Sequence, residues 1–169
     1  MLKLRAFVHD DIQALVAFLN NTDVTRFLSD RIAQPYTKKD ATWWVNEGSK
    51  IGLVYAIEID GQLAGCISAL PGEYEYCRSA EVGYWLGQEF WGRGYALQAL
   101  EQLLGKVSER KDIVRLYATV FDGNKASSKV LLKNGFNQEA TLKKAAFKNG
   151  KFYDTWIFAK LNTQEATTQ

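Results

Sequence analysis

Two spacings of apolar residues divide the chain into predicted strands and helices. Seven segments carry short apolar runs or alternate apolar with polar residues, as β-strands do. They cover residues 2–7, 53–59, 63–70, 79–86, 113–120, 136–147 and 151–160. Other stretches place apolar residues three to four positions apart, or follow a capping residue, and predict helices. These helices cover residues 12–19, 37–47, 95–107 and 125–133, and residues 24–28 predict one helical turn.

The turn residues predict how these strands are connected. Asp60-Gly61 and Asn149-Gly150 are strong hairpin signals, so we expect the two strands that flank each dipeptide to form an antiparallel pair. The strands at 79–86 and 113–120 are joined through the helix at 95–107, which favours a parallel crossover. The chain therefore predicts a mixed α/β fold with one mixed sheet. Gly83, inside the fourth strand, predicts a bulge or a close backbone approach.

Polar side chains before three helices are predicted caps, because their oxygens can accept N–H groups that the helix leaves unpaired. Asp10 or Asp11 stands before the first helix, Thr37 before residues 38–47, and Asn124 before residues 125–133.

Composition and charge describe one ordinary globular domain. A length of 169 residues favours a single domain at 1–161, and the polar end at 162–169 predicts a disordered tail. The net charge is +2, with basic and acidic residues interleaved, which argues against a nucleic-acid surface. No apolar run approaches the roughly 18 residues of a membrane span, and the first residues lack the apolar core of a signal peptide. With only Cys66 and Cys77, reduced thiols are the simpler expectation than a disulfide, and we predict a cytoplasmic protein without membrane or nucleic-acid partners.

A glycine-rich turn at residues 87–96 lies between the fourth strand and the helix that follows it. The first N–H groups of a helix have no partner within the helix, and its dipole adds positive charge, so such a turn suits a phosphate or pyrophosphate. Gly92 and Gly94 allow positive φ angles, and Arg93 between them can add a charge-assisted contact. A tight turn without any ligand is the alternative interpretation. The spacing fits neither the P-loop nor the dinucleotide-binding fingerprint.

Two motifs give the chain a resemblance to a known family. The run Trp91-Gly92-Arg93-Gly94-Tyr95-Ala96 resembles the acetyl-CoA pyrophosphate loop of the GNAT N-acetyltransferases, Gln/Arg-x-x-Gly-x-Gly/Ala. It departs from that pattern in having Trp91 at the Gln/Arg position, which is typical of the RimJ/RimL-like subfamily. The run from Asn124 to Phe136 resembles the Asn-x-x-Ser helix and the Lys-x-Gly-Phe sequence of the same subfamily. The resemblance covers nearly the whole chain and is sharp in these two motifs.

The resemblance implies an acetyl-CoA-dependent N-acetyltransferase. The expected fold is a single, mostly antiparallel mixed sheet of six to seven strands with helices on both faces, and with a kinked fourth strand that opens a cleft. No cluster of His, Cys and carboxylate residues has metal-ligand spacing, so no metal is expected. The residues implied to bind acetyl-CoA are Tyr84, Trp85, Leu86, Trp91, Gly92, Arg93, Gly94, Tyr95, Ala96, Asn124 and Ser127.

Acetyl transfer from a thioester to an amine needs a base for the amine proton and gains from an acid at the leaving thiolate. Ser127 stands where the subfamily resemblance implies this acid, and a hydroxyl that only hydrogen-bonds the cofactor or a carbonyl is the alternative. Many GNAT proteins carry a tyrosine four positions later, where this chain has Leu131. Glu81 is the candidate base, with a solvated strand residue as the alternative. Asp154 is the second candidate base, with a structural role as the alternative, and His9, the one histidine, carries no catalytic motif.

The sequence does not identify the acceptor amine. The subfamily resemblance implies a protein or peptide N-terminal α-amine, ribosomal or other, and a polyamine or aminoglycoside is the small-amine alternative. The acceptor groove is expected at residues 26–47, 74–78 and 147–153, where Trp43 and Trp44 either roof it or pack on the sheet. A catalytically silent acyl-CoA-binding module and a purely structural interaction domain are the non-enzymatic alternatives. Both a monomer and a homodimer agree with the sequence.

Overall fold

The computed structural model describes residues 1–162 of the chain. Within this range the strands and helices follow the order that the sequence predicts. The strands are β1 (Leu2–Arg5), β2 (Leu53–Ile59), β3 (Gln62–Pro71), β4 (Ser79–Leu86), β5 (Arg115–Phe121), β6 (Asn137–Lys148) and β7 (Lys151–Leu161). The helices are α1 (Ile12–Leu19), α2 (Thr22–Thr25), α3 (Lys38–Asn46), α4 (Tyr95–Ser108) and α5 (Lys125–Lys133).

All seven strands form one sheet in the order β1-β2-β3-β4-β5-β7-β6. Every neighbouring pair is antiparallel except β4 and β5, which are parallel and are joined through α4. Both predicted hairpins form, since β2 pairs with β3 and β6 pairs with β7. The prediction of a single, mostly antiparallel mixed sheet is confirmed, with seven strands.

The sheet separates two hydrophobic clusters, because alternate strand residues point to opposite faces. On one face, α4 and α5 pack against the middle of the sheet through residues such as Leu100, Leu103 and Leu131. On the other face, α1 and α3 pack against β2 and β3 through residues such as Leu15 and Val45. Helices therefore cover both faces, as predicted, and the two faces are called here the α4/α5 face and the α1/α3 face.

The parallel strands β4 and β5 stay together over only three residues. Their paired register runs from Ser79 opposite Arg115 to Glu81 opposite Tyr117. Beyond these positions β4 continues to Leu86 beside β3, while β5 continues beside β7. The two strands therefore part after Glu81 and leave a gap in the middle of the sheet, in the fourth strand where the cleft is expected.

Gly83 does not form the predicted bulge. The register of β3 and β4 runs without interruption through Gly83 opposite Ser68. A Cβ built on Gly83 would lie 3.6 Å from the Ser68 Oγ atom, which is an ordinary contact and not a close approach. The prediction was wrong because the irregularity of β4 lies on its other edge, where it parts from β5.

Helix caps and strand ends differ from the predictions at several points. Thr37 and Asn124 cap α3 and α5 as predicted, since their side-chain oxygens accept the N–H groups of Asp40 and Ser127. Asp11 precedes α1 but does not cap it, because its carboxylate accepts the Val8 N–H group and binds Arg5. Neither does the Asp10 side chain cap α1. Strand β1 ends two residues early, at Arg5, and α2 begins at Thr22 rather than at residue 24. Strands β5 and β6 begin later than predicted, at Arg115 and Asn137.

The tryptophans, the cysteines and the C-terminal residues test further expectations. Trp44 packs edge-to-face on Phe7 at 5.9 Å between ring centroids, but Trp43 is 53% exposed, so core packing holds for one tryptophan only. Cys66 is buried, Cys77 is exposed, and neither forms a disulfide. Of the predicted tail, only Asn162 lies within the described residues, and it donates to the Ile113 carbonyl. None of the described helices has the length and apolar character needed to cross a lipid bilayer.

Candidate active site

The glycine-rich turn forms a cradle of backbone N–H groups at the start of α4. Gly94 precedes this helix with φ 76° and ψ 7°, and Gly92 has φ 73°. A Cβ at either glycine would meet no atom within 4 Å, so the turn requires glycine for its left-handed backbone and not for lack of space. Within residues 1–162, no acceptor takes a hydrogen bond from the N–H groups of residues 92–97. These donors, together with the helix dipole, make a site for an anion.

Trp91 connects this cradle to the end of β4. Its indole Nε1–H group donates to the Leu86 carbonyl at 2.9 Å, while the ring stays half exposed. The bond holds the turn close to the last residue of the strand, which is a role that an indole can fill at this position. Arg93 is exposed and forms no ion pair with the residues that the structure describes, so its guanidinium is free to meet a phosphate.

The last three residues of β4 lie beside the gap between β4 and β5. Tyr84 and Leu86 point to the α4/α5 face and join its cluster. Trp85 points to the α1/α3 face, where it meets Phe18 edge-to-face at 6.1 Å between centroids. The edge of these residues that faces β5 has no strand partner within the described chain, so its backbone groups, apart from the Leu86 carbonyl that accepts from Trp91, are available to a ligand.

The start of α5 brings Ser127 to the α4/α5 side of the gap. Asn124 accepts the Ser127 N–H group at 3.2 Å and so fixes the first turn of the helix. The Ser127 Oγ atom lies 2.8 Å from the Tyr84 hydroxyl, which also lies 3.1 Å from the Ser127 carbonyl oxygen. Burial raises the pKa of Tyr84 to about 12, so its phenol is protonated at neutral pH. Leu131, in place of the family's tyrosine, is fully buried in the core.

Glu81 lies on the opposite face of the sheet from Ser127. It alternates with Ala80 and Val82, which are buried in the α4/α5 cluster, so its carboxylate points to the α1/α3 side and is exposed. Its neighbour across the parallel register is Tyr117, at the point where the strands part. Burial, and to a smaller extent the charge of Glu81, raise the pKa of Tyr117. Sequence reasoning missed Tyr117, because only the register of β4 and β5 places it beside Glu81.

The other two acid-base candidates have different surroundings. The Asp154 carboxylate accepts a hydrogen bond from the Lys143 Nζ atom at 2.9 Å and one from the Lys144 N–H group at 2.8 Å. These bonds, that of Lys143 first, hold the pKa of Asp154 below its usual range and make it a poor proton acceptor. They also stabilise an irregular part of β6, where Lys144 has φ 49°. Asp154 therefore has a structural role here. His9 is exposed in the turn before α1.

Two of the three segments expected to form the acceptor groove meet on the α1/α3 side. The Lys148 Nζ atom donates to the Leu28 carbonyl at 2.6 Å and binds Asp30 at 2.9 Å, which ties the β6–β7 hairpin to the segment after α2. Phe27 and Tyr153, one from each segment, both pack on Phe121 of β5. The third segment, residues 74–78, exposes Tyr74 and Tyr76 and makes no contact with this cluster among the hydrogen bonds and ring pairs of residues 1–162.

The described residues contain no group of three or more His, Cys, Asp or Glu side chains that could hold a metal ion. The candidate site brings together an N–H cradle, a gap in the sheet, a hydroxyl pair on one face and a carboxylate on the other.

Comparison with known proteins shows a family and several similar proteins. The profile of the acetyltransferase (GNAT) domain matches residues 1–137. The uncharacterized N-acetyltransferase YoaA of Bacillus subtilis (strain 168) is 30% identical over 96% of this chain and 94% of its own length. The putative phosphinothricin acetyltransferase YwnH of the same organism is 29% identical over 93% of this chain and 97% of its own length.

A solved structure shares the whole architecture. It is that of RimL, a ribosomal α-N-protein acetyltransferase, in complex with coenzyme A. It superposes with a TM-score of 0.83 and 26% identity, over 95% of this chain and 93% of that one. The likeness covers far more of the chain than the two sequence motifs.

Proposed function

The chain belongs to the GNAT acetyltransferase family, and on this premise we propose that it acetylates the N-terminal α-amine of a protein or peptide. Family membership makes it an N-acetyltransferase that uses acetyl-CoA, so the proposal concerns the acceptor and the residues that act. The observation that carries it is the gap between β4 and β5. The gap lies between the N–H cradle of α4 and Glu81, and it gives a thioester and an amine separate approaches from the two faces of the sheet.

Acetyl-CoA would lie on the α4/α5 side of the gap. The pyrophosphate fits the N–H groups of residues 92–97, with Arg93 adding charge. The unpaired edge of residues 84–86 offers backbone groups to the pantetheine arm and N–H donors to the oxyanion of the tetrahedral intermediate. Asn124 and Ser127 border the same side from α5.

The amine would arrive from the α1/α3 side, where Glu81 is exposed. The amine must be neutral to attack, and Glu81 takes its proton directly or through a water molecule. Ser127 gives a proton to the thiolate as the carbon–sulfur bond breaks. Glu81 and Ser127 lie on opposite faces, so the amine proton and the proton for the thiolate would be transferred on separate sides of the gap.

Direct attack by the amine, without an acyl-enzyme, fits the two cysteines. Cys66 is buried in the α1/α3 cluster, and burial raises its pKa to about 12, which leaves it a protonated thiol and a poor nucleophile. Cys77 is exposed beside the turn at Tyr74–Tyr76, away from the glycine loop in the chain.

The protein or peptide acceptor is supported by an exposed face and by a relative. Glu81 and Gly83 lie on an exposed part of the α1/α3 face, to which a flexible N-terminus has access. The solved structure of RimL is named a ribosomal α-N-protein acetyltransferase. A small amine is the second candidate, because the similar protein YwnH is named a putative phosphinothricin acetyltransferase. The cytoplasmic location and the choice between monomer and homodimer remain predictions.

Two measurements on the purified protein test this function. Acetyl-CoA at about one hundred times its dissociation constant should stabilise the fold by roughly 2.7 kcal/mol and raise the melting temperature by about 5–10 °C. Release of CoA should then depend on peptides with a free N-terminus and disappear when the same peptides carry an acetylated N-terminus. Release only with polyamines, aminoglycosides or phosphinothricin would instead favour the small-amine candidate. Stabilisation without any CoA release would indicate a silent binding module, and a flat melt would reject the cofactor site.

Replacing Glu81 by Gln should slow the reaction with the amine and leave acetyl-CoA binding unchanged. We expect kcat/KM for the peptide to fall by about 10²-fold at pH 7, because a general base contributes on this order. The loss should shrink as the pH rises through roughly 7.7–8.0, where an α-amine becomes neutral without help.

The matched control for this variant is Glu101→Gln, which removes an exposed carboxylate from α4. It should leave the pH profile of kcat/KM unchanged. Equal kcat/KM values for Glu81→Gln and wild type across this pH range would show that Glu81 is a solvated strand residue and that water alone carries the proton.

A further inference from the structure

The Tyr84 phenol is the side chain that contacts the predicted acid, Ser127. Its oxygen lies 2.8 Å from Ser127 Oγ, which is a typical distance for an O–H···O hydrogen bond, and 3.1 Å from the Ser127 carbonyl oxygen. The two residues are 43 positions apart in the sequence and come from β4 and α5. The contact therefore joins the strand at the edge of the gap to the helix that borders it.

One phenol hydrogen can reach either of two oxygens of the same residue. When Tyr84 donates to the Ser127 carbonyl, Ser127 can donate its own hydrogen to the Tyr84 oxygen. When Tyr84 donates to Ser127 Oγ, the Ser127 hydrogen is free to point elsewhere. Both hydroxyls can rotate between these arrangements without moving any heavy atom, since hydroxyl hydrogens turn to suit their partners.

A serine alone is a weak acid for this step. Its hydroxyl resembles that of water, whose pKa lies far above the value of about 8.5 for a thiol. Burial raises the pKa of Tyr84 to about 12, which keeps the phenol protonated but leaves it much more acidic than an alcohol. A proton that finally comes from Tyr84 therefore reaches the thiolate at a smaller cost than one that leaves a serine alkoxide behind.

We propose that Tyr84 and Ser127 form a two-hydroxyl relay that delivers the proton to the departing thiolate of CoA, with Tyr84 as the positioning residue behind Ser127. This inference rests on the proposed function. As the carbon–sulfur bond breaks, the sulfur takes the Ser127 hydrogen, and Ser127 Oγ takes the hydrogen of Tyr84. The phenolate that remains takes a proton from solvent. The amine gives a proton to Glu81, and Glu81 returns it to solvent, so the protons balance. Tyr84 thereby replaces the proton-donating tyrosine whose place in α5 is taken by the buried Leu131.

The variant Tyr84→Phe removes the phenol oxygen and keeps the ring that packs in the core. We expect kcat for CoA release to fall at least tenfold, with the dissociation constant of acetyl-CoA within threefold of wild type. Ser127→Ala should lower kcat by at least as much, and the double variant should lose no more than Ser127→Ala alone. Groups that act as one unit show this non-additivity, whereas independent contributions multiply.

The control is Tyr55→Phe in β2. Tyr55 is half-buried against the same cluster, and its hydroxyl makes no hydrogen bond with any residue of the described chain. The Tyr55→Phe variant should keep the kcat of wild type. A loss seen only in Tyr84→Phe then comes from the relay and not from the removal of any tyrosine hydroxyl near this core.

Each outcome is decisive. If the wild-type protein releases CoA and Tyr84→Phe has the same kcat, the relay is rejected and the proposed function stands. The relay is also rejected if the losses multiply in the double variant, or if acetyl-CoA affinity falls as much as kcat. Either result would show that Tyr84 only supports the fold of the site. A wild type that releases no CoA with any amine rejects the proposed function and the relay together.

Discussion

The substitution Gly94→Val is expected to abolish the binding of acetyl-CoA while the domain stays folded. Gly94 has φ 76° at the start of α4, a backbone conformation that a β-branched residue adopts only under strain. To relieve this strain the turn must leave its left-handed conformation, and the N–H groups of residues 92–97 then no longer converge on one anion. We expect the dissociation constant of acetyl-CoA to rise at least 100-fold in calorimetric titration, and the stabilisation by acetyl-CoA in a thermal melt to disappear.

Gly150→Val provides a matched control for backbone strain. Gly150 has φ 75° in the β6–β7 turn, and a Cβ there, as at Gly94, meets no atom within 4 Å. Both variants should therefore lose a similar stability, on the order of 1–2 kcal/mol. Only Gly94→Val should lose acetyl-CoA. If its affinity equals that of Gly150→Val, the glycine turn is merely a tight connection between strand and helix.

Among the substitutions proposed here, Arg5→Leu is expected to lower the free energy of unfolding most. Arg5 binds both oxygens of the Asp11 carboxylate, at 2.7 and 2.8 Å, and also donates to Glu58. The bond to Asp11 is the largest cause of the raised pKa of Arg5. Asp11 is only 4% exposed, and without Arg5 its remaining partner is the Val8 N–H group. Leaving a buried charge without its partner costs about 3 kcal/mol, which corresponds to a fall of about 6–12 °C in melting temperature.

The pair of Arg115 and Glu139 shows why burial decides this cost. It has the same two-bond geometry, at 2.8 and 2.5 Å, but its side chains are 32% and 45% exposed. Arg115→Leu should therefore destabilise the protein by less than about 1 kcal/mol. Similar melting temperatures for the two variants would mean that water or another cation replaces Arg5 beside Asp11. A further loss is not expected in Arg5→Leu combined with Asp11→Leu, because apolar pairs often replace buried ion pairs without cost.

Local patterns were sufficient to predict the order of strands and helices. The pairs Asp60-Gly61 and Asn149-Gly150 identified both hairpins, and the apolar spacing of residues 95–107 identified α4 almost to its ends. These features depend on residues close in sequence. The Asp11 cap failed because its carboxylate binds two groups that precede it in the chain, the Val8 N–H group three positions earlier and the Arg5 side chain six positions earlier.

The candidate site was predictable as a set of segments but not as a geometry. The glycine motif predicted the cradle, and resemblance and position made Ser127 and Glu81 candidates. Ser127 and Glu81 lie on opposite faces, with Tyr84 behind Ser127 and Tyr117 beside Glu81. This arrangement depends on the register of three strands. Asp154 looked like a base in the sequence, but an irregular segment of β6, which no local pattern indicated, holds its carboxylate. Pairings between residues 36 to 43 positions apart carry no signal in a single sequence.

The three-residue seam between β4 and β5 also divides the sheet into two antiparallel ladders. Strands β1 to β4 form one continuous antiparallel ladder, and β5, β7 and β6 form another, while the common core under α4 and α5 holds the two together. Native proteins open first where the fewest hydrogen bonds cross, so amide hydrogens along the seam exchange with solvent before those inside either ladder. A molecule bound in the gap contacts both ladders at once, so it slows this exchange and makes the sheet respond as a single unit.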